Sequence, residues 1–309
     1  MNEKVVEIAE GIKNMRIRGA GKIARAAAEA LKHFALDFSG TKDKFLEEIE
    51  EVKEYLISTR PTAVSLKNAV YFVINRMKGE SLEELRESVI KNADNFIKRS
   101  EEALELIGKY GAGRIPDGAT ILTHCNSSVA LQCIIQAHRE GKEIRVFNTE
   151  TRPWFQGHIT ARTLAKEGID VTMIVDSAVR YFMREIDIVV VGADTIASNG
   201  AVINKIGTSQ IALAANEARV PFIVCAETYK FSPETVIGKL VKIEERDPRE
   251  IANPEDFPGV KFRNPVFDAT PPEYIDAIVT EIGVISPYLA YEVIREVMNL
   301  GVKGEENRY

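Results

Sequence analysis

The feature that most restricts the fold is a change of hydrophobic period near residues 111–118. Before that point the apolar positions recur at helical spacing. Ser81 and Glu84 form a capping box that opens one long helix, and Leu82, Leu85, Val89, Phe96, Leu104 and Ile107 supply its apolar stripe. Gly111-Ala112-Gly113 and Pro116-Asp117-Gly118 then punctuate the chain. Short β-rich runs follow, at 119–123, 144–148, 171–175, 186–191 and 222–226, with helical stretches between them. Alternation of this kind gives a parallel sheet covered by helices. The expected fold is therefore α/β, with an N-terminal helical domain over residues 1–110 and a Rossmann-like parallel-sheet domain over 111–309.

Open parallel sheets bind ligands beyond the carboxyl ends of their strands, so the residues just after each run carry the functional reading. Those residues are His124-Cys125-Asn126-Ser127-Ser128, Glu150-Thr151-Arg152, Asp176-Ser177, Asp194 and Glu227. Cys125 ends a strand and precedes a helix, a position at which the helix N-terminus can lower a thiol pKa. The competing reading is a small core residue, the one preferred for Cys133 and Cys225, which lie inside apolar runs. Asp194 follows Ile188-Val189-Val190-Val191-Gly192-Ala193, which carries it to the sheet's carboxyl edge. Alternatively it caps the next turn.

Several segments offer donors to an anion. Arg18-Gly19-Ala20-Gly21-Lys22 combines two cations, a flexible turn and a helix start, although it lacks the spacing of a Walker loop. Arg60, Arg152, Asn204, Lys205 and Lys230 add others, each of which could equally be a solvated side chain. No GxGxxG opens the first strand–helix unit, which argues against a nicotinamide enzyme. The three cysteines contain no CxxC and the four histidines no ligand spacing, so neither a disulfide framework nor a metal site is expected.

A net charge of -6 argues against nonspecific nucleic-acid or membrane binding. No apolar run reaches the length of a membrane span and the N-terminus lacks a secretory pattern, so a cytoplasmic protein is expected. The charged fraction of 28% is compatible with life at high temperature.

RIRGAGK (16–22), STRPTAVSL (58–66), THCNSS (123–128), TETRPWFQG (149–157), VGADTIASNGAVINKIGT (191–208) and NPVFDATPPEYI (264–275) together resemble one family over nearly the whole chain. It unites methylthioribose-1-phosphate isomerase, archaeal ribose-1,5-bisphosphate isomerase and the regulatory subunits of translation-initiation factor two-B. In its isomerase branches the cysteine of the HCN motif and the aspartate of the GAD motif are catalytic; the matching residues are Cys125 and Asp194. The regulatory subunits are expected to lack both.

Where the methylthio branch reads RGAPAIG this chain has RGAGKIA, and Ser127-Ser128 stand where that branch has Thr-Gly. The changes add Lys22 and hydroxyls, as a second phosphate on the substrate requires. The resemblance thus implies conversion of ribose 1,5-bisphosphate to ribulose 1,5-bisphosphate in archaeal nucleotide salvage, without a cofactor. It implies that Arg18, Gly19, Ala20, Gly21, Arg60, Ser127, Ser128, Asn204, Lys205 and Lys230 hold the phosphorylated sugar. It also implies a homo-oligomer, a hexamer built from dimers, with the apolar series Tyr274, Ile275, Ile278, Val279, Ile282, Val284 and Ile285 as contact or as internal packing. The family allows a nucleotide activator, on which the residues are silent. The methylthio isomerase and the noncatalytic subunit are the alternatives.

Overall fold

The computed structural model describes residues 2–237, 241 and 243–297. The chain divides into two compact units, Met1–Leu104 and Glu105–Tyr309. The first contains α1 (Glu3–Lys13), α2 (Ala20–Asp37), α3 (Lys42–Thr59), α4 (Val64–Ile74) and most of α5 (Leu82–Ala112), within which the division falls. Asn2 and Thr41 cap α1 and α3 by accepting the N–H groups of Val5 and Lys44. The capping box opens α5: Glu84 N–H donates to Ser81 Oγ at 3.1 Å, and the Glu84 carboxylate accepts Ser81 N–H at 3.3 Å. Phe34, Phe38 and Phe45 pack ring against ring at centroid distances of 5.1–5.6 Å and close the core between α2 and α3.

In the second unit the elements run β1 (Thr120–Thr123), α6 (Ser128–Arg139), β2 (Arg145–Thr149), α7 (Gly157–Lys166), β3 (Asp170–Ile174), α8 (Val179–Phe182), β4 (Ile188–Gly192), β5 (Thr195–Ile196), β6 (Val202–Lys205), α9 (Thr208–Ala218), β7 (Phe222–Cys225), β8 (Phe267–Thr270), β9 (Ala277–Thr280), β10 (Gly283–Ile285) and α10 (Ala290–Val297). The main sheet has the order β10-β9-β7-β4-β1-β2-β3, parallel except for the antiparallel edge pair β9–β10. Strands β1, β4 and β7 are buried along their whole length, which is why they read as unbroken apolar runs.

The strand order reverses between β1 and β4, where Ile121 lies opposite Ile188 and Leu122 opposite Val189. A crevice opens at such a switch point beyond the carboxyl ends of the two strands. A second, antiparallel sheet of order β5-β6-β8 extends from this edge. In the late apolar series Ile275, Ile278 and Val279 are buried, the last two on β9 beside β7, Tyr274, Val284 and Ile285 are half-buried, and Ile282 is exposed. No helix among the described residues is long and apolar enough to cross a membrane.

Candidate active site

Cys125 and Asp194 follow the two strands that flank the switch point. Asp194 leaves β4 and turns into the small sheet, its N–H donating to the Ile203 carbonyl at 2.9 Å. Ser127, between β1 and α6, caps that helix by accepting Ala130 N–H. A Cβ on Gly192 would lie 2.2 Å from Ser127 Oγ, so the glycine two residues before Asp194 is what lets the β1–α6 loop pack on the end of β4. Ser128, the first residue of α6, is exposed.

The thiol of Cys125 departs from its sequence-based expectation. Burial pushes its pKa up to about 11, against the Lys205 charge and the Asn126 N–H, which act to lower it, while the carboxylates of Asp194 and Asp176 add to the rise. Cys125 is therefore a neutral thiol at neutral pH, within the electrostatic reach of both Lys205 and Asp194.

The Cys125 backbone has φ 66°, a region that side chains with a Cβ seldom adopt. Two neighbours hold it there. Its N–H donates to Thr151 Oγ1 at 3.0 Å, and its carbonyl accepts from Thr160 Oγ1, on α7, at 2.7 Å. Thr151, itself at φ 61°, is fixed in turn by Asp176, whose two carboxylate oxygens accept the N–H groups of Thr151 and Arg152 at 2.8 and 2.7 Å. His124 is buried, with Nδ1 2.6 Å from Thr149 Oγ1 and Nε2 2.9 Å from the Ile206 carbonyl. Burial lowers its pKa to about 4, so it is neutral.

Asn204 and Lys205 end β6. Asn204 is buried and donates to Thr208 Oγ1 at 3.1 Å; Lys205 lies 5.3 Å from the Phe267 ring centre. The α9 N-terminus beside them already holds an internal anion, Asp268, which accepts Gly207 N–H at 2.8 Å and Ser209 N–H at 3.1 Å. Burial raises Asp268 to about 6 in spite of those bonds.

Lys230 follows β7, three residues after Glu227. It is buried in an ion pair with Glu227 at 2.7 Å, and Tyr229 donates to the same carboxylate at 2.8 Å. Burial acts to raise Glu227, but the Lys230 charge and the hydrogen bonds hold it below the usual range.

Arg18, Gly19, Ala20, Gly21 and Arg60 belong to the first unit. Gly19, at φ 93°, stands at the cap position of α2, with open space where a Cβ would project. Arg60 ends α3, and Ser65 Oγ donates to the Ala20 carbonyl at 3.0 Å, so the 58–66 segment meets the 16–22 turn. Cys133 and Cys225 are fully buried, with their sulfurs 3.5 Å apart. Sequence reasoning missed Thr149, Thr160 and Asp268 as parts of the site. Asp268 lies within NPVFDATPPEYI, but only the β6–β8 pairing, with Asn204 opposite Asp268, reveals its role.

A Rossmann-like protein with a cysteine and an aspartate at its switch point is thus defined by fold and site. The chain belongs to the initiation factor 2 subunit family, whose model matches residues 16–287. Among its relatives, the ribose 1,5-bisphosphate isomerases of Methanocaldococcus jannaschii and Archaeoglobus fulgidus are each 58% identical to it. The first alignment covers 94% of both chains, the second 98% of this chain and 97% of the relative. A methylthioribose-1-phosphate isomerase of Geobacter metallireducens is 44% identical, over 90% of this chain and 86% of its own. The structure of a translation initiation factor eIF-2B from Pyrococcus horikoshii superposes with a TM-score of 0.82 at 36% identity, covering 93% of this chain and 98% of that one.

Proposed function

We propose that this chain is an aldose–ketose isomerase that converts ribose 1,5-bisphosphate into ribulose 1,5-bisphosphate. The observation that carries the reading is the pairing of Cys125 and Asp194 at the ends of adjacent strands β1 and β4, with the Lys205 charge reaching the thiol. The 58% identical relatives named for this reaction support the same substrate.

A phosphate ester on C1 blocks the free aldehyde, so ring opening must be coupled to proton loss at C2. Cys125, as thiolate, takes the C2 proton while Asp194, entering protonated, gives one to the ring oxygen. The C1–C2 enol phosphate then becomes the C2 ketone when a proton returns to C1, so no atom or electron is gained or lost overall. General acid and base steps of this kind supply about 10² to 10⁴ in rate each. Arg18 to Gly21, Arg60, Ser127, Ser128, Asn204, Lys205 and Lys230 are assigned to the sugar and its phosphates. The product suits a carboxylation step in nucleotide salvage, and the working form is a homo-oligomer built from dimers.

The deciding experiment incubates the protein with ribose 1,5-bisphosphate and follows the products by ¹³C and ³¹P NMR, with methylthioribose 1-phosphate in parallel. A C2 ketone signal from the bisphosphate is expected. Turnover of the methylthio sugar alone would overturn the substrate assignment, and turnover of neither would favour a noncatalytic subunit.

A further inference from the structure

The hydrogen bonds around His124 have a fixed direction. The Ile206 carbonyl can only accept, so His124 Nε2 carries the proton at that 2.9 Å contact. In the neutral ring Nδ1 is then bare and accepts from Thr149 Oγ1–H at 2.6 Å. With its one proton committed, Thr149 Oγ1 accepts from Thr151 Oγ1–H at 3.2 Å, a closer contact than the 3.4 Å from that hydroxyl to the Thr149 carbonyl. Thr151 Oγ1 is left to accept Cys125 N–H at 3.0 Å. Four hydrogen bonds link five groups from three places, the end of β1, the end of β2 and the β6–α9 turn, all oriented in one sense with no donor facing a donor.

We infer that His124 is a positioning residue, which acts through Thr149 and Thr151 to hold the Cys125 peptide in its left-handed conformation and to tie the Lys205–Ile206 turn to the thiol. The inference rests on the reading of Cys125 as the reacting group. Its reasons are geometric. A left-handed residue with a Cβ is sterically disfavoured and persists only where its surroundings hold it. At Cys125 that hold consists of Thr151 on the N–H and Thr160 on the carbonyl. His124 is buried and its ring packs 3.3 Å from the Cβ position of Gly207, so it keeps the proton arrangement from inverting. Thr149 is seated by the close approach of Gly157, where a Cβ would lie 1.8 Å from the Thr149 carbonyl oxygen.

The test uses the full chain and two readouts. One is kcat and KM with ribose 1,5-bisphosphate. The other is the iodoacetamide alkylation rate of Cys125 at pH 7.5, read by peptide mass spectrometry, in which the fully buried Cys133 and Cys225 do not compete.

Thr151→Val keeps the shape and removes the hydroxyl. Turnover is expected to fall about 30-fold or more with KM within about threefold, since misplacement by an ångström can cost about 10²-fold. Alkylation is expected to rise about tenfold. The left-handed peptide keeps the thiol in the burial that raises it, so release of that peptide increases both access to the sulfur and its thiolate fraction. Thr151→Ser should rescue both. His124→Gln, which can still donate to Ile206 but offers Thr149 no acceptor at the Nδ1 position, should repeat the opposed changes and provides the answer if Thr151→Val fails to fold.

Unchanged turnover and alkylation in either folded variant, or a Thr151→Ser defect as large as that of Thr151→Val, would overturn the inference. If the wild type does not turn over the bisphosphate, the functional reading fails by itself, and the alkylation rates still decide whether His124 positions Cys125.

Discussion

Removing Lys230 should reverse the pH dependence of stability, because its partner Glu227 is buried with it. The two side chains are 6% and 3% exposed and meet at 2.7 Å, so solvent screening does not discount their interaction as it would on the surface. Lys230→Met leaves a buried carboxylate that keeps the Tyr229 and backbone hydrogen bonds but faces the Glu281 carboxylate without a cation, a change that costs about 3–5 kcal/mol. In the wild type Glu227 titrates below its ordinary value of 4.5. The pair's contribution is therefore fully present above pH 4.5 and is lost as pH falls through the lower folded value. Without Lys230 the burial effect wins and the folded value rises above 4.5. The unfolded chain then binds fewer protons than the folded one, so the variant loses stability as pH rises from 4.5 through the new value. Urea midpoints followed by circular dichroism at pH 4.5, 6 and 7.5, at fixed subunit concentration, should show the deficit widening with pH. The double variant Lys230→Met with Glu227→Gln should recover part of the loss. A deficit below about 1 kcal/mol that does not vary with pH would refute the argument and would mean that Lys230 is free to serve an anionic ligand.

Cys125→Ser should abolish turnover while substrate affinity stays within about tenfold, since the hydroxyl fills similar space but is a far poorer proton acceptor; full activity would remove Cys125 from the mechanism. Asp194→Asn should keep the fold and lose ring opening, and a fall in kcat of less than about tenfold would assign the acid elsewhere. The alkylation rate of Cys125 should climb about tenfold per pH unit from 7 to 10 and level near 11, whereas a plateau by pH 8.5 would contradict the burial argument. Light scattering coupled to size exclusion should find an oligomer, and a single active species at the chain mass of 34.4 kDa would show the subunit to be self-sufficient.

The parallel sheet was legible because its central strands are covered on both faces. Continuous apolar runs such as Ile188–Val191 cannot be anything but buried, and the five strands expected lie within two residues of those found. Their order was not legible, since period says nothing about neighbours. Only the order brings Cys125 and Asp194 to adjacent strand ends. The two-residue β5 has too little length to show a period, and β9 could be read as contact or as internal packing because its neighbour in the sheet, β7, lies some fifty residues earlier in the chain. The thiol was misjudged for a related reason. Sequence shows that a helix follows Cys125, but it cannot show that burial and the charges of Asp176 and Asp194, from the loops after β3 and β4, act against the thiolate.

A thiol near 11 is seldom ionised at neutral pH, where about one molecule in 10³ to 10⁴ carries the thiolate, and on that count alone it is a poor base. The proton count suggests otherwise. The proposed reaction needs a thiolate and a carboxylic acid together, and this pair has the same total charge as the thiol and carboxylate it replaces. Moving one proton from Cys125 to Asp194 therefore requires nothing from bulk solvent, and the population of the reactive form depends on the difference between the two sites. The C2 proton of a sugar phosphate is itself weakly acidic, so a base of high pKa regains in driving force part of what it loses in population. Lys205 bears on the same balance. Its charge is the main force opposing the rise of the thiol, and two incoming phosphates would oppose Lys205 unless other cations neutralise them. Phosphate binding and proton placement are thus coupled, and a substitution at Lys205 should disturb kcat as well as KM.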